Sequence, residues 1–599
     1  MGRAGGGYQL SGEEDLTMCG LLGGLNTQFN EASLARLRHR GPDQQSLLFV
    51  EVPGHGVAAF GQTRLNIVDH RNIDLPVRIG ESAIVLNGEV YNYLELRSEL
   101  RTFGWEFQTN TDSEVALAAY LQWGPDCLGK FNGMFALAIW DGQRFFCARD
   151  RMGKKPFFYR CDERSFEFAS EVKAFSDLEF VSCELFDLFE FCFNEHTLYR
   201  NVRALPPGHC LTYDPRRGTC RVSSYWDIER QVSRRIGDEK QAVDTFIGLL
   251  EDAVRLRLRC DVPVTLFLAG GLDSSLIAKL SGVEESFTCQ FDEFRETVNE
   301  ESYVSDLTGR LGIRANFVRP TRKEFLRDLP KLAYHLEMPT GSFSVFPLYR
   351  LAEAARGAGY KVVLSGEGSD ELFAGYVRNE FLLSDASGSA DAKRNHYASM
   401  LERYQGSDFD RFCRMASRNG LSGAAMMKMF LTHYWDPHRT TLDNVCYVES
   451  RVFLQPLLQM ADRMCMAHGV ENRCPFLDHR LVEFAFSLDD SLRVRDGQGK
   501  WIVHRAAQKL LPPGSAVLTR AIKDGLPTPI NQWMHGIRSF DRRHWNALMT
   551  AECIKALLGF GSTGQGEAMQ PRSMKVDEVL PAQRRRPLAS AYSVRRAPE

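Results

Sequence analysis

The 599-residue chain has no run of ~18 or more uninterrupted apolar residues, so no membrane-spanning helix is expected. Its start, Met1-Gly-Arg-Ala-Gly-Gly-Gly, lacks the hydrophobic core of a signal peptide. There is no Cys-x-x-Cys pair, and the 15 cysteines are scattered and odd in number. That argues against a disulfide framework and a zinc site, and for a reducing cytoplasm. Net charge is small: 73 basic against 76 acidic residues, −3 overall, gives no support to a nucleic acid or other polyanion as partner. The composition, 44% hydrophobic and 25% charged, is that of a soluble globular protein, and the length calls for two or more domains.

The most informative stretch lies near the middle: Val264-Thr-Leu-Phe-Leu-Ala269-Gly-Gly-Leu-Asp273-Ser-Ser275-Leu-Ile-Ala-Lys-Leu280. Its apolar beginning reads as a buried parallel strand. Gly270 and Gly271 allow a sharp turn and close approach of the backbone to a ligand. Asp273, Ser274 and Ser275 stand where a helix starts, and the unpaired N–H groups of a helix N-terminus favour phosphate. No Gly-Lys-Ser/Thr follows, so this is not a Walker loop. Read alone, a tight turn with an ordinary helix cap fits equally well. The stretch resembles the pyrophosphate loop of ATP pyrophosphatases, Ser-Gly-Gly-x-Asp-Ser, with Ala269 in place of the first serine. The resemblance implies ATP use with release of AMP and pyrophosphate, from a cradle that has lost one hydroxyl.

Residues 1–17 are Gly-rich and then acidic, with little to pack. Next comes a predicted strand, Met18-Cys19-Gly-Leu-Leu-Gly-Gly-Leu25, in which Cys19 on its own reads equally as a small core residue. Further on stand His39-Arg-Gly-Pro-Asp43, Gly61-Gln-Thr-Arg64-Leu65-Asn-Ile-Val68-Asp69, Val85-Leu-Asn87-Gly88-Glu89-Val-Tyr-Asn92 and Thr109-Asn-Thr-Asp112-Ser-Glu114. Each piece alone reads as a turn, a cap or a surface charge. In this order they resemble the glutaminase domain of class II, N-terminal-nucleophile amidotransferases, over about residues 19–225. The resemblance implies Cys19 as nucleophile with its own free α-amine as base, and Asn87 and the Gly88 N–H as oxyanion hole. Arg64 is implied at the glutamine α-carboxylate, Glu89 and Asp112 at its α-ammonium, and Leu65 and Val68 in the same pocket.

From about Gln241, strands and helices alternate, which predicts a doubly wound parallel sheet. Ser365-Gly366-Glu367-Gly-Ser-Asp370-Glu-Leu-Phe-Ala-Gly375-Tyr resembles the signature of asparagine synthetases, as do Arg451 to Asp478 and Arg520-Ala-Ile-Lys523 to Pro529. This resemblance covers about residues 241–540. It implies that Leu268, Cys289, Ser365 and Gly366 line an adenosine site. Gly270, Gly271, Asp273, Ser274 and Ser275 would hold pyrophosphate directly or through Mg2+, with Asp273 and Asp370 at the metal. Glu367 would serve acyl-adenylate formation, and Lys500 and Lys523 are candidate cations for phosphate charge. The β-lactam synthetases share the architecture but lack the amidotransferase cysteine and carry tyrosine where Glu367 stands.

The predicted fold class is therefore an N-terminal-nucleophile α+β sandwich glutaminase domain followed by a doubly wound parallel α/β ATP-pyrophosphatase domain. The implied activity is glutamine- and ATP-dependent formation of an amide on a carboxylate, aspartate by resemblance. Phe343 stands where some asparagine synthetases have arginine, so a different carboxylate, from secondary metabolism, is the alternative acceptor. A degenerate binding or scaffold protein is a third reading, which the complete set of Cys19, Arg64, Asn87, Gly88, Glu89 and Asp112 opposes. The substrates are small molecules (glutamine, ATP, a carboxylate), and a homodimer is compatible with the resemblance. Residues 1–18 are expected to be a leader absent from the mature enzyme. Residues 560–599, with Arg584-Arg-Arg586, read as a disordered basic tail.

Overall fold

In the computed structural model, two six-stranded antiparallel sheets face each other in the first part of the chain, and a five-stranded parallel sheet runs through the middle of the rest. The structure describes residues 19–41, 43–69, 73–181, 191–192, 194–228, 235–294, 300–376, 379, 434–520, 528–534 and 542–558. The expected leader, Lys523 and the expected tail lie outside these residues.

In the first sheet Gly20–Leu25 pairs with Gly56–Arg64 on one side and Phe166–Ala169 on the other; Gln44–Val52, Phe158–Cys161 and Arg203–Ala204 complete it. In the second, the order is Thr219–Ser224, His209–Asp214, Phe145–Arg149, Gly133–Trp140, Ser82–Val90, Val77–Ile79. Leu21 and Phe60 from one sheet pack with Val85, Ala138 and Phe145 from the other. Ser82–Val90 has no polar alternation because both its faces are covered. Val85 points into the sandwich, while Ile84 and Leu86 lie under the helix Asp112–Trp123. This is the predicted α+β sandwich.

The parallel sheet has the order Arg314–Val318, Glu285–Cys289, Val264–Phe267, Val362–Leu364, Glu471–Arg473. Helices Glu239–Arg257, Leu272–Ser281 and Glu300–Leu311 pack with Leu266 and Leu364 on one face. Helices Arg322–Leu336, Val345–Gly357 and Leu454–Met466 pack with Phe267 and Val363 on the other. The sheet is doubly wound, as predicted. Its chain order reverses between Val264–Phe267 and Val362–Leu364, and a crevice for ligands opens at the carboxyl ends of strands at such a reversal.

Candidate active site

Cys19 lies at the start of the first strand, and its Sγ accepts the Leu65 N–H at 3.3 Å. Its carbonyl accepts Arg40 Nε at 3.3 Å. Burial pushes the thiol up to about 12, against the effect of the Leu65 N–H. Arg64, at the end of its strand, donates from Nη2 to the carbonyls of Val68 (3.0 Å) and Asp69 (2.6 Å). Asn87 Nδ2 donates to Ser170 Oγ at 3.3 Å, and that hydroxyl also accepts the Leu21 N–H at 3.0 Å. Gly88 has φ +118°, and a Cβ there would stand 2.1 Å from the Met134 carbonyl, so only glycine fits. Beside it, Glu89 is raised by burial and then by Asp112, whose own carboxyl burial lifts to about 6. Burial is the leading cause in both carboxyls, and Arg473, 3.6 Å from Glu89, works against it.

The other glycine loops leave the carboxyl ends of the two central parallel strands. Leu272–Ser281 starts from Gly271 without a side-chain cap, which leaves first-turn N–H groups for an anion. The Ser274 hydroxyl donates to the Ala269 carbonyl (2.8 Å) and that of Ser275 to Gly271 (2.7 Å). Gly270 is clamped on both sides: its N–H donates to Glu300 Oε2 at 2.6 Å, and its carbonyl accepts Arg520 Nη1 at 2.7 Å. Leu268 and Cys289 are buried beside this loop, at the ends of adjacent strands. A Cβ on Gly366 would lie 3.0 Å from that of Asp273, so the loops touch. Lys500 Nζ bridges Asp273 Oδ2 (2.6 Å) and Asp370 Oδ1 (2.7 Å). Burial opposes the charge of Lys500, but the two carboxylates outweigh it and the lysine stays protonated. Its φ of +56° is a strained, left-handed conformation at the start of Trp501–Leu510. Ser365 Oγ donates to Asn472 Oδ1 at 2.7 Å. Two carboxylates converging on a cation, beside an uncapped helix start, fit a phosphate chain with Mg2+, which typically takes one or two protein carboxylates plus phosphate and water oxygens. Among the described residues, no group of three or more His, Cys, Asp or Glu would hold a metal by itself.

The two clusters lie at opposite ends of the same strands. Cys19 packs in an apolar cluster with Val264 and Val362, the first residues of the central strands, whereas the glycine loops follow the last. Three to four strand residues span only ~10–13 Å. The neighbouring strand Glu471–Arg473 contacts both clusters, because alternate side chains leave its two faces. Glu471 pairs with Lys155 (3.1 Å) and Arg473 with Glu89 (3.6 Å), while Asn472 Nδ2 and, just beyond, Cys474 Sγ donate to Glu367 Oε2 at 3.1 and 3.0 Å. Lys154, next to Lys155, reaches Glu367 Oε2 at 3.2 Å. Sequence reasoning singled out none of Lys154, Lys155, Glu300, Asn472 or Cys474 for a role. The signals available were the adjacent lysines in a short connection and the period of two in the strand.

Residues 245–556 match the family model described as asparagine synthase, and residues 18–226 match a glutamine amidotransferase domain. Asparagine synthetase [glutamine-hydrolyzing] 1 of Bacillus subtilis (strain 168) is 30% identical, over 86% of this chain and 88% of that protein. Asparagine synthetase [glutamine-hydrolyzing] 3 of the same organism is 27% identical, over 89% and 94%. A protein named amidase chry2, from Gibberella zeae, is 27% identical over 78% and 79%. The chain belongs to the asparagine synthase family, with a glutamine amidotransferase domain ahead of the synthase region.

Proposed function

We propose that this enzyme hydrolyses glutamine at Cys19 and uses the ammonia to form an amide on a carboxylate activated with ATP. Cys19 Sγ attacks the side-chain amide carbon of glutamine, and the α-amine of Cys19 carries the thiol proton to the leaving nitrogen. The carbonyl oxygen is stabilised by Asn87 Nδ2 and the Gly88 N–H. Water then cleaves the thioester and releases glutamate. Arg64 holds the α-carboxylate, Glu89 and Asp112 the α-ammonium, and Leu65 and Val68 flank the substrate. The α-amine can act as this base only where the bond between Met18 and Cys19 is absent, so this reading calls for an active form that begins at Cys19.

Bound ATP supplies the adenylyl group that makes a carboxylate an acyl donor, and Mg2+ neutralises phosphate charge. Asp273 and Asp370 would hold the metal, and Lys500 faces the same charge. Gly270, Gly271, Ser274 and Ser275 receive pyrophosphate through the backbone, and Leu268, Cys289, Ser365 and Gly366 border the adenosine. Glu367 acts on the activated carboxylate. The observation that carries this reading is the placement of the Cys19 cluster and the glycine loops at opposite ends of the same short central strands. Ammonia released at one end is used at the other.

Aspartate is the acceptor suggested by the asparagine synthetase relatives. A different carboxylate is the second reading, favoured by Phe343, which packs edge-on against buried Trp545 with ring centres 5.6 Å apart and offers an acceptor no charge. No helix among the described residues is long and apolar enough to cross a membrane, and we assign the enzyme to the cytoplasm. Pyrophosphate release from ATP tests the proposal, with a panel of carboxylates and either glutamine or ammonia. Release that depends on one carboxylate is expected; release with none of them overturns it.

A further inference from the structure

We propose that Lys154, a residue of the amidotransferase half, is a positioning residue for the synthetase site: it fixes the Glu367 carboxylate, so that the second site is incomplete without the first half. This rests on the reading of Glu367 given above. The Lys154 side chain is 4% exposed, and its ammonium lies 3.2 Å from Glu367 Oε2. Among the described residues, Glu367 is its one ion-pair partner. The lysine sits in a braced connection between the strands Phe145–Arg149 and Phe158–Cys161. Buried Asp150 accepts the N–H groups of Met152 (3.1 Å) and Lys154 (2.9 Å) on Oδ1, and those of Lys155 (2.9 Å) and Phe135 (3.2 Å) on Oδ2. The side chain therefore leaves a fixed backbone.

Burying an ammonium is costly unless a partner compensates it. Burial opposes the charge of Lys154, and at pH 7 the charge that offsets it is the Glu367 carboxylate, since burial keeps the Cys474 thiol neutral. The other donors to Glu367 are the Asn472 amide and the Cys474 thiol, both neutral at pH 7. Lys154 thus supplies the sole cationic contact to this carboxylate among the described residues. Without it, Glu367 is held by neutral donors alone.

The test uses the full-length protein with an acceptor that supports pyrophosphate release. Lys154→Met should lower the kcat of ammonia-dependent release by about tenfold or more, the effect of losing one charge-assisted hydrogen bond. The KM for ATP should change less than about twofold, since Lys154 touches no nucleotide-binding group, and glutamine hydrolysis should persist. Lys154→Arg should restore much of the rate. The double variant Lys154→Met, Glu367→Gln should be no slower than Glu367→Gln alone, because one residue acts through the other. A Lys154→Met rate within twofold of wild type overturns the inference, as do additive losses. Loss of glutamine hydrolysis as well, unrescued by arginine, would make Lys154 a residue that merely holds the halves together and also overturns it. Wild-type protein that shows no carboxylate-dependent release fails at the earlier step and takes both proposals with it, so the two failures are distinguishable.

Discussion

Arg40 and Asp462, 422 positions apart in sequence, form a two-pronged ion pair with hydrogen bonds of 3.0 and 3.3 Å. Both are buried. Burial pushes the Asp462 carboxyl up, but Arg40, Lys155 and Arg463 outweigh it and hold the group below the usual carboxylate range. Arg40 also holds the Cys19 carbonyl. The backbone at Cys19 is thereby tied to the helix Leu454–Met466 of the synthase region.

Cys19→Ala is expected to reduce glutamine hydrolysis to background while ammonia still supports amide formation, because only the nucleophile is lost. Active wild-type protein should begin at Cys19 by intact mass. Full activity in protein still carrying Met18 would exclude the α-amine as base.

The kcat/KM for glutamine should fall as pH drops through about 6, where Asp112 takes up a proton and can no longer pair with an ammonium. The same raised carboxyl stabilises the folded form at low pH, and that contribution is lost as pH rises through about 6. Asp112→Asn should therefore raise the glutamine KM yet leave the protein no less heat-stable at pH 7. A flat profile for wild type between pH 5 and 7 would contradict the assignment.

Glu367→Gln should slow acceptor-dependent pyrophosphate release by about 10²-fold or more, as for other groups acting in the transition state, with glutamine hydrolysis intact. Near-normal release would remove Glu367 from the chemistry.

Restoring the hydroxyl with Ala269→Ser should tighten or speed ATP use by ~0.5–1.5 kcal/mol, one hydrogen bond. The Ser274 hydroxyl already donates to the Ala269 carbonyl, so the backbone needs little change. Unchanged steady-state ATP kinetics would mean that the loop satisfies the phosphates without this hydroxyl.

Arg463 pairs with Glu171 (2.6 Å) and Glu337 (2.8 Å) in a buried cluster that also contains Lys173 and Arg40. Arg463→Met should cost about 3–5 kcal/mol, because it leaves carboxylates buried and short of a cation. Adding Glu337→Gln should return part of that loss in a denaturation midpoint; a silent Arg463→Met would show that the cluster contributes little.

What the sequence determined by itself is what local chemistry dictates. Gly88 must be glycine because its backbone is left-handed and a carbonyl stands against it. Gly270, Gly271 and Asp273 mark a helix start because turn, cap and first turn are neighbours in the chain. The helix Glu239–Arg257 starts where Asp238 caps it, and the doubly wound order follows from alternating strands and helices. The tertiary structure decided everything that joins distant segments: Cys19 in one apolar cluster with Val264 and Val362, Glu89 against Arg473, Arg40 against Asp462, Lys154 against Glu367. Those pairs depend on sheet order, register and the docking of one half on the other. A residue's neighbours in sequence carry no trace of them, because the low-dielectric contacts that hold each charge exist only once both segments are buried together.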